Sequence, residues 1–193
     1  MGISVFPQAS TASSAVTKWT LLDSYASTTA FSTINFNSIS QNYRRLRLSW
    51  GGLVKNTSSG TLLIRINNDS ANNYNQWGYY INSLNGSQDN ITYEQVNMNH
   101  ITITPISEIL GGQYFHGYVD IANYSEVGPK FYESKARFRA PSNGFVYVET
   151  PDGLYTTGAS TPAITSMNFI ISADTASCLA TNSMSGVQLY GGN

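Results

Sequence analysis

Charge is what this chain has least of. Asp, Glu, Lys and Arg make up 11% of its 193 residues, against roughly 25% in an average soluble protein, and Asn, Ser, Thr, Tyr and Gly fill the polar positions instead. The formal net charge of −1 encodes no global attraction to nucleic acid or to an anionic membrane, so neither is expected as a partner. Cys178 is the single cysteine, which excludes an intrachain disulfide framework and a multi-cysteine metal site; it is expected to be a small buried or half-buried hydrophobe. Nowhere does a run approach the roughly 18 apolar residues of a membrane span. The opening segment from Met1 to Ser10 lacks a basic region and a continuous apolar stretch, and Phe6 stands where a myristoylation signal needs Ser or Thr, so no targeting signal is expected there.

Catalytic patterns are missing as well. There are two histidines, His100 and His116, without HxH or HExxH spacing, and no G-x-S-x-G elbow, P-loop or G-x-G-x-x-G occurs. Glu94, Glu108, Asp120, Glu133 and Glu149 stand singly in separate segments, so no acid and nucleophile pair of a glycosidase is expected. The loop from Asn67 to Asn73 offers oxygen ligands but one carboxylate, Asp69; it reads as a structural turn rather than a calcium site. No enzyme, cofactor or metal is therefore expected.

Strand patterning is abundant. From Tyr43 to Ile81 the chain reads as three strands and two turns in an antiparallel meander. Leu46, Leu48 and Trp50 alternate with Arg45, Arg47 and Ser49; Leu62, Ile64 and Ile66 follow the turn-rich stretch Lys55 to Gly60; and Tyr74 to Ile81 forms the third strand. Trp19 to Tyr25 and Phe31 to Phe36 precede it, with Phe31 and Ile34 as core candidates. Asn82 to Asn90 reads as a loop around Asn85-Gly86, and Asn99 to Ile106 as a weak strand broken by Pro105. Tyr114 to Ile121, Phe131 to Ala140, Phe145 to Thr150, Leu154 to Thr157, Ile164 to Ser172 and Gly186 to Tyr190 complete the set, with Pro151-Asp152-Gly153 predicting a hairpin. Apolar residues nowhere recur at helical spacing for three turns. The fold class is all-β: a jelly-roll-like antiparallel β-sandwich of about ten strands, in one domain over residues 18–193.

Three groups of residues are candidates for function. Trp77, Tyr79 and Tyr80 could stack against sugar rings or an interface, although alternation requires either Tyr80 or the Trp77/Tyr79 pair to point inward. Lys135, Arg137 and Arg139 lie on one face of their strand, where the simplest expectation is a wet face paired with carboxylates across the ladder. Residues 1–17 form an extended arm whose Val5 and Phe6 are the expected assembly contacts: burial of each adds about 1.5 to 3 kcal/mol, against roughly 1 to 2 kcal/mol of backbone ordering per residue.

The order of W-T-L-L-D-S-Y at Trp19 to Tyr25, F-S-T-I-N-F-N-S-I at Phe31 to Ile39, Y-R-R-L-R-L at Tyr43 to Leu48, L-L-I-R-I-N-N-D-S-A-N-N-Y at Leu62 to Tyr74 and S-G-V-Q-L-Y-G at Ser185 to Gly191 resembles the β-sandwich virion proteins of tailed bacteriophages, in particular those of cyanobacterial and other environmental phages. The resemblance implies a non-enzymatic capsid decoration or head-fibre protein that is made in the host cytoplasm, self-associates as a homotrimer and docks on other virion proteins. The alternative it implies is a tail-associated adhesin for host surface glycans. It supplies no catalytic residues.

Overall fold

The computed structural model describes residues 18–26, 31–55, 61–84, 87–103, 114–139, 146–171, 178–180 and 186–193. Residues 1–17, with Val5 and Phe6, lie outside them. The strands in chain order begin with β1 (Trp19–Tyr25), β2 (Thr33–Phe36), β3 (Arg45–Lys55) and β4 (Leu62–Ile66). The middle of the chain supplies β5 (Tyr74–Leu84), β6 (Ser87–Met98), β7 (Ile101–Thr102) and β8 (Tyr114–Ala122). Then follow β9 (Lys130–Arg139), β10 (Val146–Tyr155), β11 (Met167–Ile171), β12 (Cys178–Ala180) and β13 (Gly186–Gly192). No helix occurs among the described residues.

All pairings are antiparallel and form two sheets. The large one runs β1-β13-β3-β8-β9-β10-β5-β6 with β12 beside β3, and the small one runs β2-β11-β4-β7. Setting aside the hairpin β5–β6, the pair β9–β10 and the short β12, the remaining strands renumbered in chain order read 1-8-3-6 and 2-7-4-5. That is the jelly-roll order: each successive strand of these eight crosses to the opposite sheet, except from β4 to β7, which pair within the small one, so each apolar face is buried by its neighbour in sequence. The two added pairs widen the large sheet to twice the width of the small one.

The core lies between the sheets. Leu46, Leu48 and Trp50 of β3 and Phe115, Val119 and Ile121 of β8 meet Ile64 and Ile66 of β4 and Met167 and Phe169 of β11. Trp50 and Phe169 bring their ring centroids to 5.6 Å across the layers. Polar groups tie the added strands to the small sheet. The Gln76 side chain exchanges two hydrogen bonds with the Thr102 backbone, at 2.9 and 3.1 Å, and the Ile66 N–H donates to the Tyr74 hydroxyl at 3.0 Å. Alternation on β3 survives until Trp50 and then slips by one residue, so that Leu53 is buried; the slip is a β-bulge at Gly51-Gly52, where Gly52 takes φ 62°.

Several expectations are corrected. Tyr43 to Ile81 is not a meander: β3 and β5 belong to the large sheet, four positions apart in its order, while β4 crosses to the small one. Alternation reports a buried face and does not reveal which sheet buries it. Pro151-Asp152-Gly153 is no hairpin, since β10 runs straight through it. The Ser134 hydroxyl donates to the Pro151 carbonyl and the Ser134 N–H to Asp152 Oδ1 at 3.4 Å, so side chains serve the ladder where proline cannot. Tyr132 crosses opposite Gly153, where an added Cβ would sit 2.3 Å from its hydroxyl, so glycine here makes room for a ring rather than a turn. The loop expected at 82–90 is mostly strand, with β5 and β6 paired up to Leu84 and Ser87. The weak strand at 99–106 contracts to Ile101–Thr102, which puts His100 in a bend and not on a strand; Pro105 lies outside the described residues.

The 67–73 loop is a structural turn, as expected. The Ala71 N–H and the Asn73 side-chain amide each donate to Asp69 at 2.8 Å, and Asn67 and Asn68 take φ 52° and 56°, a region Asn tolerates well.

Candidate functional site

The outer face of the large sheet, turned away from the small one, carries the side chains that the core does not use. Pairing lines them up in a transverse row: Arg47 faces Asp120, Asp120 faces Glu133, and Glu133 faces Asp152. Asp152 then faces Trp77, and Trp77 faces Glu94 at the sheet edge. Each step crosses one strand of different chain origin, so residues far apart in sequence become neighbours.

Trp77 and Tyr79 both project from this face, 48% and 45% exposed. Their partners Thr92, Glu94, Thr150 and Asp152 complete a shallow depression of about 570 Å³. A second depression of about 300 Å³ shares Trp77 and Asp152 and adds Arg45, Glu133 and Phe131. Of the aromatic trio, two thus fall on one outward face; Tyr80 has its backbone opposite Glu149 in the ladder, and its side chain lies outside what the structure describes.

Charges within the row are unevenly matched. Arg47 grips Asp120 with two hydrogen bonds of 2.6 and 2.5 Å, although Asp120 is only 3% exposed. Arg45 stands 3.6 Å from both Asp120 and Glu133. The Arg47 guanidinium also lies 4.5 Å from the Trp19 ring centroid and 4.6 Å from that of Tyr118. Its pKa is raised, first through the hydrogen bond to Asp120, against the lowering effect of burial. Asp152 and Glu94, either side of Trp77, have no ion-pair partner among the described residues. Burial and then the neighbouring Glu133 raise the Asp152 pKa, and the Ser134 N–H opposes them.

A basic cluster adjoins this row. Lys135 faces Tyr118 and Arg137 faces His116 in the ladder, and the four enclose a depression of about 230 Å³. The carboxylates expected across from these cations are not there, and among the described residues neither Lys135 nor Arg137 forms an ion pair. Partial desolvation and then Arg137 hold the His116 pKa below its usual value. The Arg139 side chain lies outside what the structure describes.

The carboxylates expected to stand singly do not all do so: the fold sets Asp120 and Glu133 side by side and adds Asp152 next to them, with cross-strand Cβ spacings of about 5 Å. Two of the three are engaged by guanidinium groups, and the face is open to water. Glu149 points into the interior and is fully buried, and Glu108 lies outside the described residues. No cluster of three or more His, Cys, Asp or Glu side chains that could hold a metal occurs among the described residues. Cys178 lies on β12 beside Lys55, its side chain outside the description. Sequence patterning misses Asp152, Glu94 and the Asp120–Arg47 pair, because the row exists only through long-range register. The one local signal for it is alternation, which puts Arg47, Asp120 and Glu133 on the polar side of their strands. Comparison with protein-family models, with curated proteins and with solved structures finds no match to the chain.

Proposed function

We propose that the protein is a non-enzymatic structural protein of a tailed-phage particle and that it binds carbohydrate through the outer face of its large sheet. The observation that carries the binding is the outward pair Trp77 and Tyr79. An aromatic face covers the apolar face of a pyranose, while the flanking carboxylates and threonines accept and donate hydrogen bonds to its hydroxyls. The engagement of Asp120 and Glu133 by arginines favours recognition over hydrolysis, because a nucleophile held in an ion pair is poorly placed to attack.

Glycan-array binding by the wild type and by Trp77→Ala tests the reading. Truncating a central tryptophan costs about 2 kcal/mol, so affinity should fall roughly 30-fold while the melting temperature stays put. Undiminished binding by the variant, or turnover of the bound glycan, would reject it.

Docking on the particle is a second reading, favoured by apolar exposure that begins at the rim of the same row and continues into the β8–β9 connection. Val127 is 73% and Phe131 62% exposed, in and next to the β8–β9 connection. Together with the low surface charge they suit a protein interface, of the kind a homotrimer or a capsid contact would use. Saturable binding to undecorated capsids, abolished by Phe131→Asp or by deleting residues 2–17, would support it; capsid binding untouched by both changes would not.

A further inference from the structure

We infer that the glycan is acidic, and that the cluster of Lys135, Arg137 and His116 takes its anionic group while Trp77 and Tyr79 take neutral rings. The inference rests on the carbohydrate reading and adds the chemical class of the ligand. Lys135 and Arg137 sit on adjacent outward positions of β9 without a carboxylate partner among the described residues. They share their depression with the exposed His116 ring and with Tyr118. In a chain with so few charges, two unmatched cations side by side are a conspicuous use of charge.

Position adds the second part. Lys135 lies two strands from Tyr79, with Thr150 on the strand between them; at roughly 4.8 Å per strand this is about 10 Å, within reach of one oligosaccharide. The Thr150 hydroxyl donates to the Tyr79 carbonyl at 3.2 Å, so the Tyr79 side of this path is tied to β10.

The carboxylate row decides where the acid can go. Asp152 and Glu94 flank Trp77 and repel an anion there, so an acidic substituent is accommodated at the Lys135 end and a neutral or amino sugar at the Trp77 end. The same row argues against a nucleic acid, whose backbone carries a phosphate at every step and would meet Asp152 or Glu94 wherever its bases stacked. A heteropolysaccharide with one acid among neutral rings meets no such conflict.

The test uses a panel of bacterial polysaccharides, each as its native acid form and as its carboxyl-reduced form, with polyuridylate RNA as a further arm. The wild type should bind native acidic forms about tenfold more tightly than the reduced forms at low salt, a preference that fades as salt screens it. In Lys135→Ala/Arg137→Ala that preference should vanish while affinity for the reduced forms is unchanged, and Lys135→Arg should keep it. Equal binding of both forms by the wild type, a preference retained by the double variant, or RNA bound as tightly as the acidic glycans would overturn the inference. Should Trp77→Ala abolish binding while the wild type ignores the acid, the carbohydrate reading stands and only the acidic ligand falls. Should Trp77→Ala change nothing, or no glycan bind, both fall.

Discussion

Arg47 ties the β1 edge of the outer face to the carboxylate row. Its guanidinium holds Asp120 in two hydrogen bonds and lies against Trp19 and Tyr118. Replacing Asp120 with Asn keeps the shape but removes the charge that both arginines face. Hydrogen bonds to charged groups contribute about 1.5 to 3 kcal/mol, so Asp120→Asn should lower unfolding free energy by about 2 kcal/mol in denaturant titration, with an unchanged slope. Lys130 plays a comparable part at the other end of β9: it is fully buried, and its ammonium donates to the backbone carbonyls of Asn123 and Glu126, closing the β8–β9 connection. Lys130→Met leaves the Glu126 carbonyl without this donor and the Asn123 carbonyl with the Glu126 N–H alone, and should cost about 1 to 3 kcal/mol, read out by the same titration. At this scale the sequence was legible where period-2 alternation applied: Leu46, Leu48, Trp50, Phe115, Val119 and Ile121 are all buried as their spacing predicts. It was not legible at Lys130, whose partners are backbone carbonyls that no side-chain pattern announces.

Among the elements, β10 shows how local chemistry can mislead. Pro-Asp-Gly favours a turn in isolation, yet here Pro151 is served by Ser134, and Gly153 accommodates the Tyr132 ring. Gly153→Ala should therefore destabilise the domain by about 1 to 3 kcal/mol through overpacking, visible as a lowered melting temperature; an unchanged melting temperature would mean that β10 does not pass through this point as a strand. The 67–73 turn behaves as local chemistry predicts, because its hydrogen bonds close within a few residues. Burial alone would raise the Asp69 pKa, but the bonds from Asn73 and Ala71 outweigh it and leave the value lowered. The stability these bonds contribute is fully present above the ordinary Asp pKa and is lost as pH falls through the lowered one. Asp69→Ala should thus lose stability at neutral pH and show a smaller further loss in acid than the wild type does.

For the whole molecule, topology is the part that alternation could only outline. The strands and their faces were readable, and the all-β sandwich with them; the pairing of β5 with β10 rather than with β3 or β4 depends on contacts between distant segments, and the outer row depends on that pairing. A global pH response follows from the histidines. Burial and then Arg65 lower the His100 pKa, and burial and then Arg137 lower that of His116. As pH falls through the ordinary histidine pKa of about 6.5 the unfolded chain takes up protons that the folded one refuses, so the melting temperature should drop from there down through the lowered folded values, and less so in His116→Gln. The central claim, that the outer face around Trp77 is the ligand surface, is tested most directly by the side-chain N–H signals of the three tryptophans in proton–nitrogen NMR during titration with the tightest-binding glycan of the array. The Trp77 signal should move in proportion to occupancy while that of Trp50, buried in the core, stays fixed; a Trp77 signal unmoved at saturation would contradict the account.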